Sequence, residues 1–348
     1  MKALVLAGGT GSRLRPLTHT SAKQLLPVAN KPILEYALEA CAEAGCTQVG
    51  VIVGDTEDEI RAALDGRQLG VELHWIRQEA PLGLAHAVLT AQDFLGHEPF
   101  LMFLGDNLLK ASVRPLVERF EAGSADALVL LTRVPDPQRF GVVVLDERGR
   151  VERLVEKPEV PPSELALVGI YLFGPRIFEA ARAIEPSARG ELEITDALQW
   201  LVDAGARVEA QEVVGWWKDT GKPGDLLEAN RLVLSSLHRR VEGSVEGSAL
   251  SGAVVVEAGA RVVDSVLRGP VVVGAGALIE RSVVGPDVSL SEGVHLQDCS
   301  IADAIVMEGS EIRGVSGLSG CLLGRGVRIG PAEGARSLVL GDSCKVEL

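Results

Sequence analysis

Up to about residue 240, short apolar runs alternate with segments whose apolar positions recur every three or four residues. The runs at 3–7, 49–53, 100–104 and 127–131 are continuous enough to be strands buried on both faces. Between them, 32–44, 57–64 and 84–94 carry apolar residues at helical spacing. Strands alternating with helices predict βαβ units and a doubly wound, Rossmann-like α/β sheet. Ligands of such sheets bind beyond the carboxyl ends of the strands, so chemistry is expected just after Ala7 and Leu104.

After about residue 240 the pattern changes. Aliphatic residues recur at Val256, Val262, Leu267, Val273, Ile279, Val284, Leu290, Leu296 and Ile301, in steps of six or five. Any three consecutive steps sum to seventeen, which stacks Val256, Val273 and Leu290 in one column and Val262, Ile279 and Leu296 in the next. A three-sided parallel β-helix is expected from that sum, with one buried aliphatic residue per side and Gly at the turns. A less regular phase continues through Val306, Ile312, Leu318, Leu323 and Ile329. A β-sandwich of short, glycine-rich strands is the alternative, and it has no reason to keep the sum constant. From Glu242 onward there is no aromatic residue and Lys345 is the only lysine, which a large α/β core would not favour. A helix is expected over 226–237, and the boundary between it and Val245 divides the chain into domains 1–240 and 245–348.

Composition narrows the class. The chain has 348 residues, enough for two domains with sizeable cores. No window approaches eighteen consecutive apolar residues, so no membrane span is expected. The run 3–7 breaks at Gly8 and Gly9 and has neither the basic lead nor the length of a signal peptide. Five scattered cysteines without a CxxC spacing fit reduced thiols in a cytoplasm better than disulfides or zinc. A formal charge of −14 argues against a general nucleic-acid surface, though a few converging cations can still handle phosphate.

Those cations follow the first strand. Gly8, Gly9 and Gly11 let the backbone approach a ligand and aim N–H groups at phosphate oxygens. The stretch precedes an expected helix, so a tight strand-to-helix turn explains the glycines equally well. A P-loop would end in Gly-Lys-Ser/Thr where this chain has Gly11-Ser12-Arg13. The dinucleotide fingerprint wants a small residue where Leu14 stands. Arg13, Arg15 and Lys23 come within the next dozen residues and would suit a triphosphate, although Arg15 also reads as a solvated charge.

The run Gly8-Gly9-Thr10-Gly11-Ser12-Arg13-Leu14, with Lys23-Gln24-Leu25-Leu26-Pro27 and Asn30-Lys31-Pro32, resembles the signature of the sugar-nucleotide pyrophosphorylases. Among them the long-form glucose-1-phosphate thymidylyltransferases, which carry a C-terminal left-handed β-helix, are the nearest match. The resemblance implies that Gly8, Gly9, Gly11 and Gln24 bind the nucleotide and that Arg13 and Lys23 are catalytic. Gln78 to Gly83 resembles the base-reading loop, Gln78 offering a donor and an acceptor to a pyrimidine edge and Gly83 a close backbone approach. Asp106 ends an apolar strand with a carboxylate suited to Mg2+, and the resemblance assigns it that role. Asp219, in Trp216-Trp217-Lys218-Asp219, is a second metal ligand by resemblance.

The sugar phosphate is implied to lie against Gly141, Glu156, Lys157, Val168, Tyr171 and Arg189. Glu156 would accept from sugar hydroxyls while Lys157, also counted as catalytic, holds the 1-phosphate, with Arg189 as a second phosphate ligand. Glu191 is a candidate sugar contact, although its block also reads as an ordinary acidic helix start. Phe140 stands where the family often has Tyr, which removes a hydroxyl. The implied reaction is attack of a sugar-1-phosphate oxygen on the α-phosphorus of dTTP, giving dTDP-glucose and pyrophosphate. Its nucleophile is already an anion and needs no general base. The alternative is a UTP-dependent uridylyltransferase, with a possible acyltransferase on the β-helix, where His295 is the only histidine. The partners implied are nucleoside triphosphate, sugar-1-phosphate and further copies of the chain in a homo-oligomer, with neither nucleic acid nor membrane.

Overall fold

In a computed structural model that describes residues 1–331, 334 and 336–346, the first apolar run becomes the strand Lys2–Leu6. Contacts divide the chain into two units, 1–9 with 34–219 and 10–33 with 220–348. Of the expected β-helix segment 245–348, residues 332, 333, 335, 347 and 348 lie outside the described residues.

In the first unit Lys2–Leu6 pairs in parallel with Gln48–Val53 on one side and Phe100–Leu104 on the other. Glu72–Arg77 continues the parallel ladder beyond Gln48–Val53. The other half departs from the all-parallel expectation. Leu165–Phe173, buried at every residue, runs antiparallel between Phe100–Leu104 and Ala127–Arg133. The expected strand at 127–131 therefore joins a mixed, nine-stranded sheet, and its only parallel neighbour is Val208–Glu212. Gly169 makes this possible: at φ +78 it shifts the register between Leu167 and Tyr171 and turns the strand's first half towards the Gly141–Leu145 and Val151–Glu156 hairpin.

Helices Ile33–Glu43 and Glu57–Leu64 form where their periodicity places them. The expected helix 84–94 divides into Leu84–Thr90 and Gln92–Leu95. Thr90 Oγ1 donates to the His86 carbonyl at 2.9 Å, a back-bond that competes with the helix ladder just before the break. Phe100, Met102 and Phe173 join Leu4 in the core of this Rossmann-like α/β unit.

The second unit carries the parallel β-helix of the left-handed class. Ser244, Arg261, Leu278 and His295 stack seventeen apart, as do Val254, Val271 and Val288. The less regular phase has one cause. His295 pairs with Glu311 and Val288 with Ala304, a coil one residue shorter, and the seventeen-residue register then resumes. The missing residue is taken at a corner, where Ser300–Val306 runs as one strand across two faces. Ile279, Leu296 and Ile312 are fully buried in one column. Down one corner, Ser265 and Ser282 each accept an N–H from the next coil, the last from Cys299. The helix expected at 226–237 is Pro223–Leu234, its start moved forward because Pro223 suits the first turn.

Truncating a column residue leaves a hole that neighbouring coils cannot close. Ile279→Ala should destabilise by about 2–5 kcal/mol. The outward Val283→Ala should cost under about 1 kcal/mol. Urea denaturation of both variants checks the contrast, and equal losses would contradict the inward column.

Candidate active site

Four parallel strands end on one edge of the first unit. The Gly105 N–H donates to the Leu6 carbonyl at 2.9 Å and the Gln78 N–H to the Val53 carbonyl at 2.9 Å, so these loops leave the sheet beside one another. Gln78 Oε1 lies 3.9 Å from where a Cβ on Gly8 would stand, and Gln78 Nε2 donates to the Gly83 carbonyl at 3.2 Å. Gly83 has φ +103, and any side chain there would strike the Leu192 backbone. The loop is pinned on that backbone through Leu192 N–H to the Leu82 carbonyl and Ala85 N–H to the Leu192 carbonyl.

The two acidic candidates, about a hundred residues apart in sequence, come together. Trp217–Asp219 pairs antiparallel with Asn107–Leu109, and Asp219 stands opposite Asn107, the residue after Asp106. Trp217 Nε1 donates to Asn107 Oδ1 at 2.7 Å, and Asn107 Nδ2 donates to Asp106 Oδ1 at 2.8 Å. Asn107 is buried, so this relay fixes the carboxylate from behind. Asn107 and Trp217 were not among the sequence candidates. Two oxygen donors of this kind suit a hard divalent cation.

A second group forms around Glu156, whose Oε1 is 3.0 Å from Lys157 Nζ and 3.1 Å from Arg189 Nη2. Thr195 Oγ1 donates to its Oε2 at 2.6 Å. Gly141 lies directly beneath: a Cβ there would sit 2.6 Å from Thr195 Oγ1 and 3.2 Å from Glu156 Oε2. Lys157 has φ +39 and is held there by its N–H to the Phe140 carbonyl. Arg189 leans on buried Glu193 at 2.7 Å, a partner that was not among the candidate residues. Burial works to lower the Arg189 pKa, but Glu193, with Glu191 and Glu156, leaves it above its ordinary value. Burial and the charges of Glu193 and Glu156 push the Asp196 carboxyl up. Glu156, Lys157 and Arg189 line a cavity of about 1020 Å³. Phe140 meets the Trp217 ring edge-on at 5.6 Å, which ties this group to the Asp106–Asp219 pair.

Val168 and Tyr171 lie within the sheet. Leu165–Phe173 is covered on both faces, so Val168 is fully buried and Tyr171 stacks on Phe173 at 5.5 Å. Neither lines the Glu156–Arg189 cavity. Burial, with the nearby charge of Glu156, also drives the Tyr171 hydroxyl well above the ordinary range.

Gly9 is exposed at the end of the first unit's N-terminal piece, and Gly11, Arg13, Lys23 and Gln24 belong to the second unit. The helix expected after the glycines begins at Ile33, and the residues before it do not join it. Three 3-10 turns, Ser12–Leu14, Leu17–His19 and Lys23–Leu25, stand ahead of it, because Pro16 and Pro27 withhold N–H donors that a helix would need. Gly11, at φ +63, packs so tightly that an added Cβ would lie 2.8 Å from Lys23 Cβ. Thr18 Oγ1 closes the loop on the Gly11 carbonyl at 2.8 Å. Lys23 and Gln24 are buried, whereas Arg13 is exposed and makes no ion pair among the described residues.

Known proteins resemble this chain in sequence and fold. Residues 2–236 match the nucleotidyl transferase family. A glucose-1-phosphate thymidylyltransferase of Streptomyces griseus is 52% identical, covering 100% of this chain and 99% of its own. Another, from Streptomyces antibioticus, is 51% identical with the same coverage. A solved UDP-glucose pyrophosphorylase complexed with UDP-glucose matches with TM-score 0.63 at 29% identity, covering 67% of this chain and 98% of that one. Sugar nucleotidyltransferases generally use a divalent metal. The chain belongs to the nucleotidyl transferase family and is a nucleotidyltransferase, with glucose-1-phosphate thymidylyltransferases as relatives along its full length.

Proposed function

We propose that this enzyme transfers a thymidylyl group from dTTP to glucose-1-phosphate, giving dTDP-glucose and pyrophosphate in a Mg2+-dependent reaction. The observation that carries the reading is the strand pairing that brings Asp219 beside Asp106 in the unit that holds the Glu156–Lys157–Arg189 group. The names of both Streptomyces relatives support the nucleotide and sugar. As units of sequence, 1–240 is the transferase domain and 245–348 the β-helix domain.

Asp106 and Asp219 would hold Mg2+, whose chemistry is to neutralise charge on the triphosphate. Lys157 and Arg189 grip the 1-phosphate, while Glu156 turns to the sugar hydroxyls. One phosphate oxygen of the sugar forms a bond to the α-phosphorus, the bond from that phosphorus to the β-phosphate bridging oxygen breaks, and pyrophosphate leaves. Arg13 and Lys23 stabilise the leaving charge, so catalysis is positioning plus neutralisation. Gly8, Gly9, Gly11, Gln24, Gln78 and Gly83 bind the nucleotide, and Gly141 floors the sugar pocket.

The UTP-dependent reading is favoured by the likeness to a UDP-glucose pyrophosphorylase. We further infer a homo-oligomer in the cytoplasm. Exposed Val160 and Val214 offer it apolar surface, and no helix among the described residues is long and apolar enough to cross a membrane.

Pyrophosphate release from four nucleoside triphosphates against several sugar-1-phosphates tests the reading, with dTTP and glucose-1-phosphate expected to give the highest kcat/KM. A clear preference for UTP would overturn the assignment of the base. Asp106→Asn should lower Mg2+-dependent kcat about 10²–10³-fold, and near-full turnover would remove Asp106 from the metal site. Lys157→Ala should raise KM for the sugar phosphate about tenfold or more. Arg13→Ala should instead lower kcat about ten- to hundredfold. Similar, mild effects of both substitutions would refute the division of roles.

A further inference from the structure

After the first-unit strand at 2–6, the twenty-four residues 10–33, which end on the first residue of the helix Ile33–Glu43, group by their contacts with the β-helix unit. This segment holds Arg13 and Lys23, and it is tied down on both sides of Lys23. Upstream, Thr20 Oγ1 donates to Asp342 Oδ2 at 2.7 Å and Arg325 Nη1 donates to Ser21 Oγ at 2.9 Å. The Arg325 N–H holds the other Asp342 oxygen at 2.7 Å, so the two anchors brace each other.

Downstream, Pro27–Val28 and Lys31–Pro32 form a hairpin with Ala29 and Asn30 at its tip. Both have positive φ, +48 and +65. Asn tolerates this conformation, but Ala has neither glycine's freedom nor a side chain to compensate, so Ala29 is held by its surroundings. Its N–H donates to Asn230 Oδ1 at 2.8 Å, and its methyl packs against Leu234, Val255 and Val272. Asn30 Nδ2 donates to the Leu290 carbonyl at 2.7 Å, and Ser291 Oγ donates to Asn30 Oδ1 at 3.2 Å.

The remaining member is Ser289, whose hydroxyl donates to the same Asn230 oxygen at 2.6 Å. Both residues are buried, Asn230 at 1% exposure and Ser289 at 0%. Val255, Val272, Ser289, Ile305 and Leu322 are matching middle residues of successive coils, and Ser289 is the one polar residue among these five. An aliphatic residue would suit that ladder better for burial alone. A hydroxyl there, facing an amide on the helix Pro223–Leu234, makes sense as a means of holding one geometry.

We propose that Asn230 and Ser289 are positioning residues: through the Ala29-Asn30 tip they hold Lys23 at its working position, so the β-helix takes part in turnover. The inference rests on the transferase reading above, which gives Lys23 its role. Leu25, Leu26 and Val28 between Lys23 and the tip are all buried, so movement of the tip is passed along packed backbone.

The test compares full-length wild type, Ser289→Ala, Asn230→Leu and the conservative Ser289→Thr. Ser289→Ala and Asn230→Leu should lower kcat about ten- to hundredfold, with KM for glucose-1-phosphate within about twofold. Hydrogen exchange of amides 20–32 should quicken in both, and Ser289→Thr should restore kcat and protection. If Asn230→Leu does not fold, the milder Ser289→Ala decides alone. Wild-type kcat, unchanged exchange at 20–32, or a fall in Tm with KM and kcat altered together would overturn the proposal. A wild-type enzyme inactive on every substrate pair would sink the transferase reading instead, and the exchange comparison would still decide the clamp.

Discussion

The parallel register of Lys2–Leu6 with its two neighbours is the constraint on which the site depends. Leu6 stands opposite Leu104 on one side and Ile52 on the other, so three strands stop at one level. Gly8, Gly105 and the loop beginning at Gln78 then leave the sheet from a common edge. A shift of one residue in that ladder would turn the strand's side chains to the opposite face and offset the Asp106–Asp219 pair from Gly8 and Gln78. Bulk is excluded at the edge for the same reason: a Cβ on Gly105 would meet the Leu6 carbonyl at 2.8 Å. The candidate site lies where backbones crowd, and glycine is what that crowding admits.

The β-helix obeys a different constraint, the repeat of the coil. Its columns tolerate one short coil because the lost residue falls at a corner, where side chains need not stack. Its outward ladder is less usual, since outward positions ordinarily face water. Here Val255, Val272, Ile305 and Leu322 are buried, and the helix Pro223–Leu234, with the Ala29–Asn30 tip, belongs to the same unit. A segment from near the N-terminus is thus folded as part of a unit whose other residues begin at Thr220.

What was legible in the sequence was whatever repeats or is continuous. The apolar runs located the parallel strands, and the constant sum of seventeen located the coils, because each rests on a local period. Non-local pairing left no such trace. Leu165–Phe173 reads as one more apolar run, and only its place between Phe100–Leu104 and Ala127–Arg133 makes the sheet mixed. For the site, the conspicuous charges were legible and their supports were not. Asn107 gave no local sign of its role, because its bond to Trp217 spans 110 positions. Glu193 offered a signal, four residues after Arg189 at a helix start, but a buried partner and a surface acid look alike there. The burial of Tyr171 was not legible either, because only the covering of both faces of Leu165–Phe173 puts every residue of that strand in the core.

Charge balance bears on how such an acidic chain accepts two phosphate-bearing substrates. Around Glu156, three carboxylates, those of Glu156, Glu191 and Glu193, face two cations, Lys157 and Arg189. That group attracts no anion while its pairs are closed. On the proposed reading, an arriving phosphate must take Lys157 and Arg189 from Glu156 Oε1, and the released oxygen is then available to a sugar hydroxyl. An inorganic phosphate would leave Oε1 without a protein partner while Thr195 keeps Oε2, so the pair favours a phosphate that carries a sugar. Arg189 keeps its hold on buried Glu193 throughout, which limits the exchange to one end of the guanidinium. Arg13 differs, being exposed and without an ion pair among the described residues. An unpaired cation suits a leaving pyrophosphate, which must be stabilised as it forms and needs no test of what else it carries.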